Sequence, residues 1–299
     1  MTTPALRHYS PAVSAPALRV NARDGCTLNV RVLRQATSAG AIPVLFIHAL
    51  AMDGDMWSGV AQMLGNEAWA VDGAFYAVDC RGHGASDAPT GLYTTERFAK
   101  DMLHVLDAIG SEYAHVVGCS MGGTVALALA GIAPERLNSL TVIDCSAWYG
   151  TDAPTRWEAR AQTALTEGMA ALVEFQIARW FSPAFVQAEP ALVRESIAVF
   201  NANQVPAYAE SCRMLGEADE RPGLHRFTGP VSVVVGAEDY ATPVTMGQDI
   251  VDRMTDARLT VVPGTRHYTP LEAPDAIASC IAETIARARS IPSQVQDHP

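Results

Sequence analysis

No stretch of this 299-residue chain approaches the ~20 consecutive apolar residues that span a bilayer. Its start, "MTTPALRHYSPAVSAPALRV", interrupts with proline and polar residues where a secretory signal needs an unbroken apolar segment. No membrane contact and no export by that route are therefore expected, and the expected location is cytoplasmic. Positive charge is scarce: 21 Lys and Arg against 32 Asp and Glu leave a formal net charge of -11. Nucleic acid is not an expected partner, because its recognition needs clustered cations. The six cysteines (Cys26, Cys80, Cys119, Cys145, Cys212, Cys280) include no C-x-x-C spacing, which reads as reduced, buried thiols. Eight histidines form no H-x-x-H or H-E-x-x-H pattern, so neither a metal site nor any other cofactor is implied. Internal repeats and low-complexity tracts are missing as well.

What the chain has in quantity is apolar residue, 49% against 18% charged, enough for a sizeable globular core. Short apolar, β-branched runs recur at 42–48, 74–79, 114–119, 139–145, 231–236 and 258–264, the pattern of buried parallel strands. Amphipathic stretches lie between most of them. In "TTERFAKDMLHVLDAIG" Phe98, Met102, Val105 and Leu106 share one helical face, Thr94 or Thr95 can cap the start, and Gly110 can end it. This alternation predicts an α/β fold with a mostly parallel central sheet and helices on both faces. "ALRVNA" and "CTLNVRVLR", joined by "RDG", read as an antiparallel hairpin at one edge. From about Tyr149 to Leu224 there are helical patterns and no strand, which reads as a helical cap inserted into the core. The expected organisation is a core of 1–148 and 225–290, a cap of 149–224, and a flexible tail of 291–299.

The residues that carry chemistry sit at strand ends. Gly118, Cys119, Ser120, Met121 and Gly122 form G-x-S-x-G between an expected strand and an expected helix, the context in which that motif presents a serine nucleophile. An acid and a histidine follow in the required order. Asp239 stands after the strand "VSVVVG" and is preferred to its neighbour Glu238, with Asp144 after the preceding strand as the alternative. His267 lies in "PGTRHYTP", in a loop before the last helix, whereas His8, His104, His115, His225 and His298 have no such context and read as structural. An oxyanion needs two donors: the backbone N–H of Met121 and, from the loop His48-Ala49-Leu50 after the first parallel strand, that of Leu50.

These pieces, with "FIHAL", "DCRGHGASD" at 79–87, "GAEDYATP" and "PGTRHYTPLEAPDAI", resemble the α/β-hydrolase family from about residue 18 to 288. The resemblance implies the α/β-hydrolase fold and a structural role for the Asp79-x-Arg81-Gly82-x-Gly84-x-Ser86 loop, so His83 stays outside the site. Within the family the cap segments "RWEARAQTALTEGMAALVEFQIARWFSPAF" and "VPAYAESCRMLGEAD" are similar to those of 3-oxoadipate enol-lactone hydrolases. Two positions depart from that subgroup. His48-Ala49-Leu50-Ala51 stands where its oxyanion loop reads Asn-Ser-Leu-Gly, and "CSAWYG" offers Trp148 and Tyr149 where a basic residue is usual.

The expectation that follows is a serine hydrolase acting on a small lactone of enol-lactone type or a related ester. Ser120 attacks, His267 held by Asp239 takes its proton, and the oxyanion rests on Leu50 and Met121. The departure at Trp148 predicts a substrate less acidic than an enol-lactone carrying a carboxylate, in an apolar, partly dry pocket. His48, Trp57, Trp148, Trp157 and Trp180 are its candidate lining; Arg160, Arg179 and Arg213 in the cap could supply the missing cation but read first as solvated helix charges. Carboxylesterase, perhydrolase or carbon–carbon bond hydrolase activity would use the same residues, and a ligand-binding protein without turnover is the reading from outside enzymology. A homo-oligomer stays open.

Overall fold

The computed structural model describes residues 17–66 and 72–290. The expected tail of 291–299, His8 and His298 lie outside the described residues. The strands are β1 (Ala17–Asn21), β2 (Thr27–Arg34), β3 (Val44–Ile47), β4 (Phe75–Asp79), β5 (Ala114–Cys119), β6 (Leu137–Ile143), β7 (Val231–Gly236) and β8 (Ala257–Val262). They form one sheet in the order β1-β2-β4-β3-β5-β6-β7-β8. The pairs β1–β2 and β2–β4 are antiparallel, and every other neighbouring pair is parallel.

Burial follows from this order. Every residue of β3, β5 and β7 is buried, because helices cover both faces of the middle strands and leave no side for polar residues. The run 258–264 differs from its expectation as a buried strand. It forms β8 at the sheet's edge, with a single strand neighbour, and only its last residue, Val262, is buried. The helix read from Thr94 to Gly110 spans Thr95–Ala108; Thr94 accepts from the Arg97 N–H, and Gly110 takes a φ of 70° just past the end.

Two features of the sheet create a site. The chain runs from β3 outward to β4, then returns to lay β5 on the other side of β3. At such a reversal the loops after the two central strands diverge and leave a crevice at the strands' carboxyl ends. Pairing also fixes which loops meet. Ile47 is opposite Gly118, so the loop through Leu50 emerges beside Ser120. Gly236 is opposite Val262, so the loops through Asp239 and His267 emerge together.

Between β6 and β7 the chain contains helices Ala153–Glu167, Val173–Trp180, Pro183–Ala188, Pro190–Asn201 and Val205–Glu217, and no strand. The first and last of these pack together, closely enough that a Cβ on Gly216 would stand 3.2 Å from both the Pro154 backbone and the Trp157 Cβ. Among the described residues no helix is long and apolar enough to cross a membrane.

Candidate active site

Ser120 ends β5 and starts helix Met121–Ile132 with φ 52° and ψ -115°. That conformation is unfavourable for an L-residue and turns the chain sharply enough to project the side chain. Packing enforces it. A Cβ on Gly118 would fall 2.2 Å from the Gly122 carbonyl oxygen, and one on Gly122 would fall 2.2 Å from that of Ile47. Only glycine fits at either position, which is the physical content of the G-x-S-x-G spacing.

The structure brings Ser120, His267 and Asp239 together. His267 Nδ1 lies 2.8 Å from Asp239 Oδ2 and its Nε2 lies 2.8 Å from Ser120 Oγ. A carboxylate only accepts, so Nδ1 carries the proton and Nε2 is left to accept from the serine hydroxyl. Asp239 Oδ1 accepts from the Ala241 and Thr242 N–H groups, and Oδ2 also accepts from the Thr242 hydroxyl. Burial opposes its charge, but the His267 ring and these donors outweigh that and hold the carboxyl below its usual range. Asp144, the alternative acid, is fully buried with no contact to His267. Its oxygens accept from the Gly236 and Thr269 N–H groups, and burial, then the charge of Asp239, pushes its carboxyl well up.

Leu50 lines the same cavity as Ser120 and His267. Met121 supplies the first N–H of its helix, a position where backbone N–H groups lack intrahelical partners. Behind the Leu50 loop, His48 accepts from the Cys80 N–H through Nε2, so its Nδ1 donates to the Ala49 carbonyl. His48 is thus a buried brace for the loop and not part of the pocket lining, contrary to the expectation from sequence. Burial keeps it neutral.

The four candidate tryptophans divide. Trp157 and Trp180 line the cavity, and Trp180 stacks on Tyr268 at 4.9 Å. Trp57 does not. It is fully buried beneath the sheet end against Phe46, 5.0 Å between ring centroids. Trp148 does not either. It forms an isolated bridge with Asp219 and carries the Arg221 guanidinium 3.9 Å above its ring.

The larger correction concerns charge. The cavity is lined by Arg156, Arg160, Arg179 and Gln176 beside the aromatics. Arg213 is the solvated charge it was expected to be, paired with Glu158 and Glu210. Arg160 and Arg179 are not. Arg160 donates from Nε to the Tyr208 hydroxyl at 2.7 Å and lies 4.9 Å over the Trp157 ring. Arg179 sits between the rings of Phe175 and Tyr240, at 5.0 and 5.6 Å. Among the described residues neither has a carboxylate partner, and burial, then the charge of Arg160, depresses Arg179. The expected apolar pocket is a cationic one. Arg156 and Arg160 are four apart on one helix, and Gln176 and Arg179 three apart on another, so each pair shares a face, but that spacing is the same for a face turned to water. Thr242 was also missed, three residues after Asp239 as in an Asx turn.

The alpha/beta hydrolase family matches residues 44–279 of this chain. The chain belongs to the α/β-hydrolase family. The 3-oxoadipate enol-lactonase 2 of Acinetobacter baylyi is 30% identical over 267 residues, covering 89% of this chain and 97% of that one. The solved enol-lactonase of Burkholderia xenovorans LB400 superposes with a TM-score of 0.83 at 28% identity, over 91% of this chain and all of that one (100%). A hydrolase from Pseudomonas aeruginosa gives 0.82 at 28% identity, over 90% and 98%. The chain is a hydrolase of this family, with the eight-stranded, mostly parallel sheet that the fold requires.

Proposed function

We propose that this hydrolase opens a small lactone of enol-lactone type that carries a carboxylate, with Ser120 as nucleophile, His267 as general base and acid, and Asp239 as the group that orients His267. The observation that carries the reading is the pairing of two things in one cavity: a serine hydrogen-bonded through histidine to an ionised aspartate, and two arginines with no acid of their own. The similarity to enol-lactonases supports the lactone, and the arginines support the carboxylate. The helical insertion serves as the cap that contributes those arginines.

In this mechanism the substrate carboxylate lies against Arg160 and Arg179 through charge-assisted hydrogen bonds, which fixes the ring carbonyl over Ser120. His267 Nε2 takes the serine proton as Oγ attacks the carbonyl carbon, and the negative oxygen is received by the N–H groups of Leu50 and Met121. The ring C–O bond then breaks, and His267 returns the proton to the departing oxygen. An enol leaving group tautomerises to a ketone, which removes the nucleophile that would close the ring again. Water, deprotonated by His267, releases the acid from Ser120.

The test is a panel of lactones and short esters, each with and without a carboxylate arm, ranked by kcat/KM for wild type and Ser120→Ala. The expected result is a preference of about a hundredfold or more for the anionic members, as two charge-assisted contacts predict, and loss of turnover in Ser120→Ala. Equal rates for neutral esters sink the carboxylate assignment and favour a general esterase; undiminished turnover in Ser120→Ala sinks the nucleophile.

A further inference from the structure

The loop that carries His267 meets the helical insertion at one helix end. The last carbonyls of helix Val173–Trp180 have no partners further along that helix. That of Ile177 takes the Phe181 N–H. The next three are met by successive residues of the His267 loop: Arg266 donates from Nη1 to Ala178 at 2.6 Å, the His267 N–H to Arg179 at 3.4 Å, and the Tyr268 N–H to Trp180 at 3.0 Å. Arg266 Nη1 also reaches the Phe181 carbonyl at 3.3 Å, and its positive charge suits a helix C-terminus. Arg266 and Ala178 are 88 residues apart in sequence, so a core loop closes a helix of the insertion.

A carboxylate fastens both sides of this junction. Glu272 Oε1 accepts from the Arg266 N–H at 2.6 Å, and Oε2 accepts from the Ser182 N–H and hydroxyl at 2.9 and 2.5 Å. It grips the residue before His267 on one side and the residue three past Arg179 on the other. Charge-assisted bonds of this kind are about twice as strong as neutral ones. His267 has anchors of its own in the core: Asp239 Oδ2 holds its Nδ1, and Asp144 holds the Thr269 N–H two residues on. The backbone of Arg179 reaches the His267 loop through the junction itself.

We propose that Glu272 is a positioning residue that sets specificity: through Arg266 and Ser182 it holds the Arg179 end of helix Val173–Trp180 against the His267 loop, fixing the distance between the cation that receives the substrate carboxylate and the base that activates Ser120. This rests on the reading of Ser120, His267 and Arg179 given above. Loosening the junction lets Arg179 move while Asp239 still holds His267, so recognition of the carboxylate is lost and the chemistry is spared.

The test is steady-state kinetics of Glu272→Gln on matched lactones and esters with and without a carboxylate arm. Glutamine keeps the size of glutamate but offers one acceptor oxygen, so its NH2 must face either the Arg266 N–H or the Ser182 donors, and one side of the junction opens. Arg266→Met is the milder variant should Glu272→Gln not fold: it keeps the stem and removes the Nη1 bonds at a partly exposed site, where water can take the freed carbonyls. Glu272→Gln should raise KM for the carboxylate-bearing lactone about tenfold, with kcat/KM for the neutral ester within about twofold, as expected when a binding group is misplaced and the reacting groups are not. Arg266→Met should lower the same preference about threefold. Full retention of the preference in the folded variants overturns the proposal, and so do equal losses on charged and neutral substrates, which a merely structural junction would give. If the wild type shows no preference for the carboxylate, or Ser120→Ala keeps its turnover, the underlying reading fails; if both hold and the variants keep the preference, this inference alone fails.

Discussion

Arginines are withdrawn from solvent at two places in this protein, Arg81 fully and Arg31, Arg160 and Arg179 in part, and their surroundings are opposite. Below the strand ends, Arg81 is 1% exposed and bonds Asp101 and Asp24 at 2.6 and 2.8 Å, while Arg31 reaches Asp79, Asp55 and Asp53. In the cavity, Arg160 and Arg179 face aromatic rings, and the carboxylate acting most strongly on Arg179 is Asp239 of the proposed triad. A guanidinium removed from water needs an anion. The floor supplies its own; the cavity leaves the place for a ligand. On a chain of net charge -11, two arginines without carboxylate partners in one cleft are a local exception that stability does not explain.

Breaking the floor should have the larger effect. Asp101→Asn leaves Arg81 with the part-exposed Asp24 as its remaining carboxylate, and weakening a buried pair in this way should remove up to about 3 kcal/mol. Urea denaturation should show that loss, while kcat per folded molecule stays at the wild-type value. A change below about 1 kcal/mol would mean that the floor's pairing is as dispensable as a surface contact, and the contrast with the cavity would disappear.

The cavity should respond in the reverse sense. Arg160→Met keeps much of the apolar stem's volume and removes a charge with no protein partner, so folding stability should hold or rise slightly. The kcat/KM for a carboxylate-bearing lactone should fall about a hundredfold, or ~2.7 kcal/mol, while that for a neutral ester stays within about threefold. Equal losses for charged and neutral substrates would show that Arg160 shapes the cavity without reading charge.

The same contrast marks how far sequence carries. Ser120, Asp239 and His267 were legible because each follows a strand whose apolar run is unmistakable, and strand pairing brings their loops together at the sheet's carboxyl end. The glycines around Ser120 are dictated by backbone atoms 2.2 Å from where their Cβ would be, so the pattern must be spelled out in the chain. Arg160 and Arg179 were not legible in that way. A helical arginine reads the same whether it meets water or a cleft, and only the packing of helix Ala153–Glu167 against Val205–Glu217 decides which. Trp148 misled for a related reason: its neighbourhood in sequence suggested the pocket, whereas its bridge to Asp219 holds it at the base of the insertion. Asn203, whose side-chain nitrogen donates to the Ala51 carbonyl, carried no signal, since that acceptor is 152 residues away.

Acid should break the floor before the cavity, and the reason is its histidines. Burial, then the neighbouring His48, lowers His83 from 6.5 to about 3, and the two rings lie 5.1 Å apart. Burial likewise lowers His115, outside the floor at the amino end of β5, to about 3. Between these two values the unfolded chain takes up a proton at each histidine and the folded one does not, so stability falls as pH drops through that window and is unaffected above it. At pH 5 each such histidine should have removed about 2 kcal/mol, at ~1.4 kcal/mol per pH unit below 6.5. Asp239, held below its usual value of 3.8, begins to lose its contribution only as pH falls through that value, near the bottom of the histidine window. His83→Gln cannot take up that proton in either state, so its stability should drop about 2 kcal/mol less than wild type between pH 7 and pH 5. Parallel losses for the two proteins would place the acid-sensitive group elsewhere and remove His83 from the floor's account.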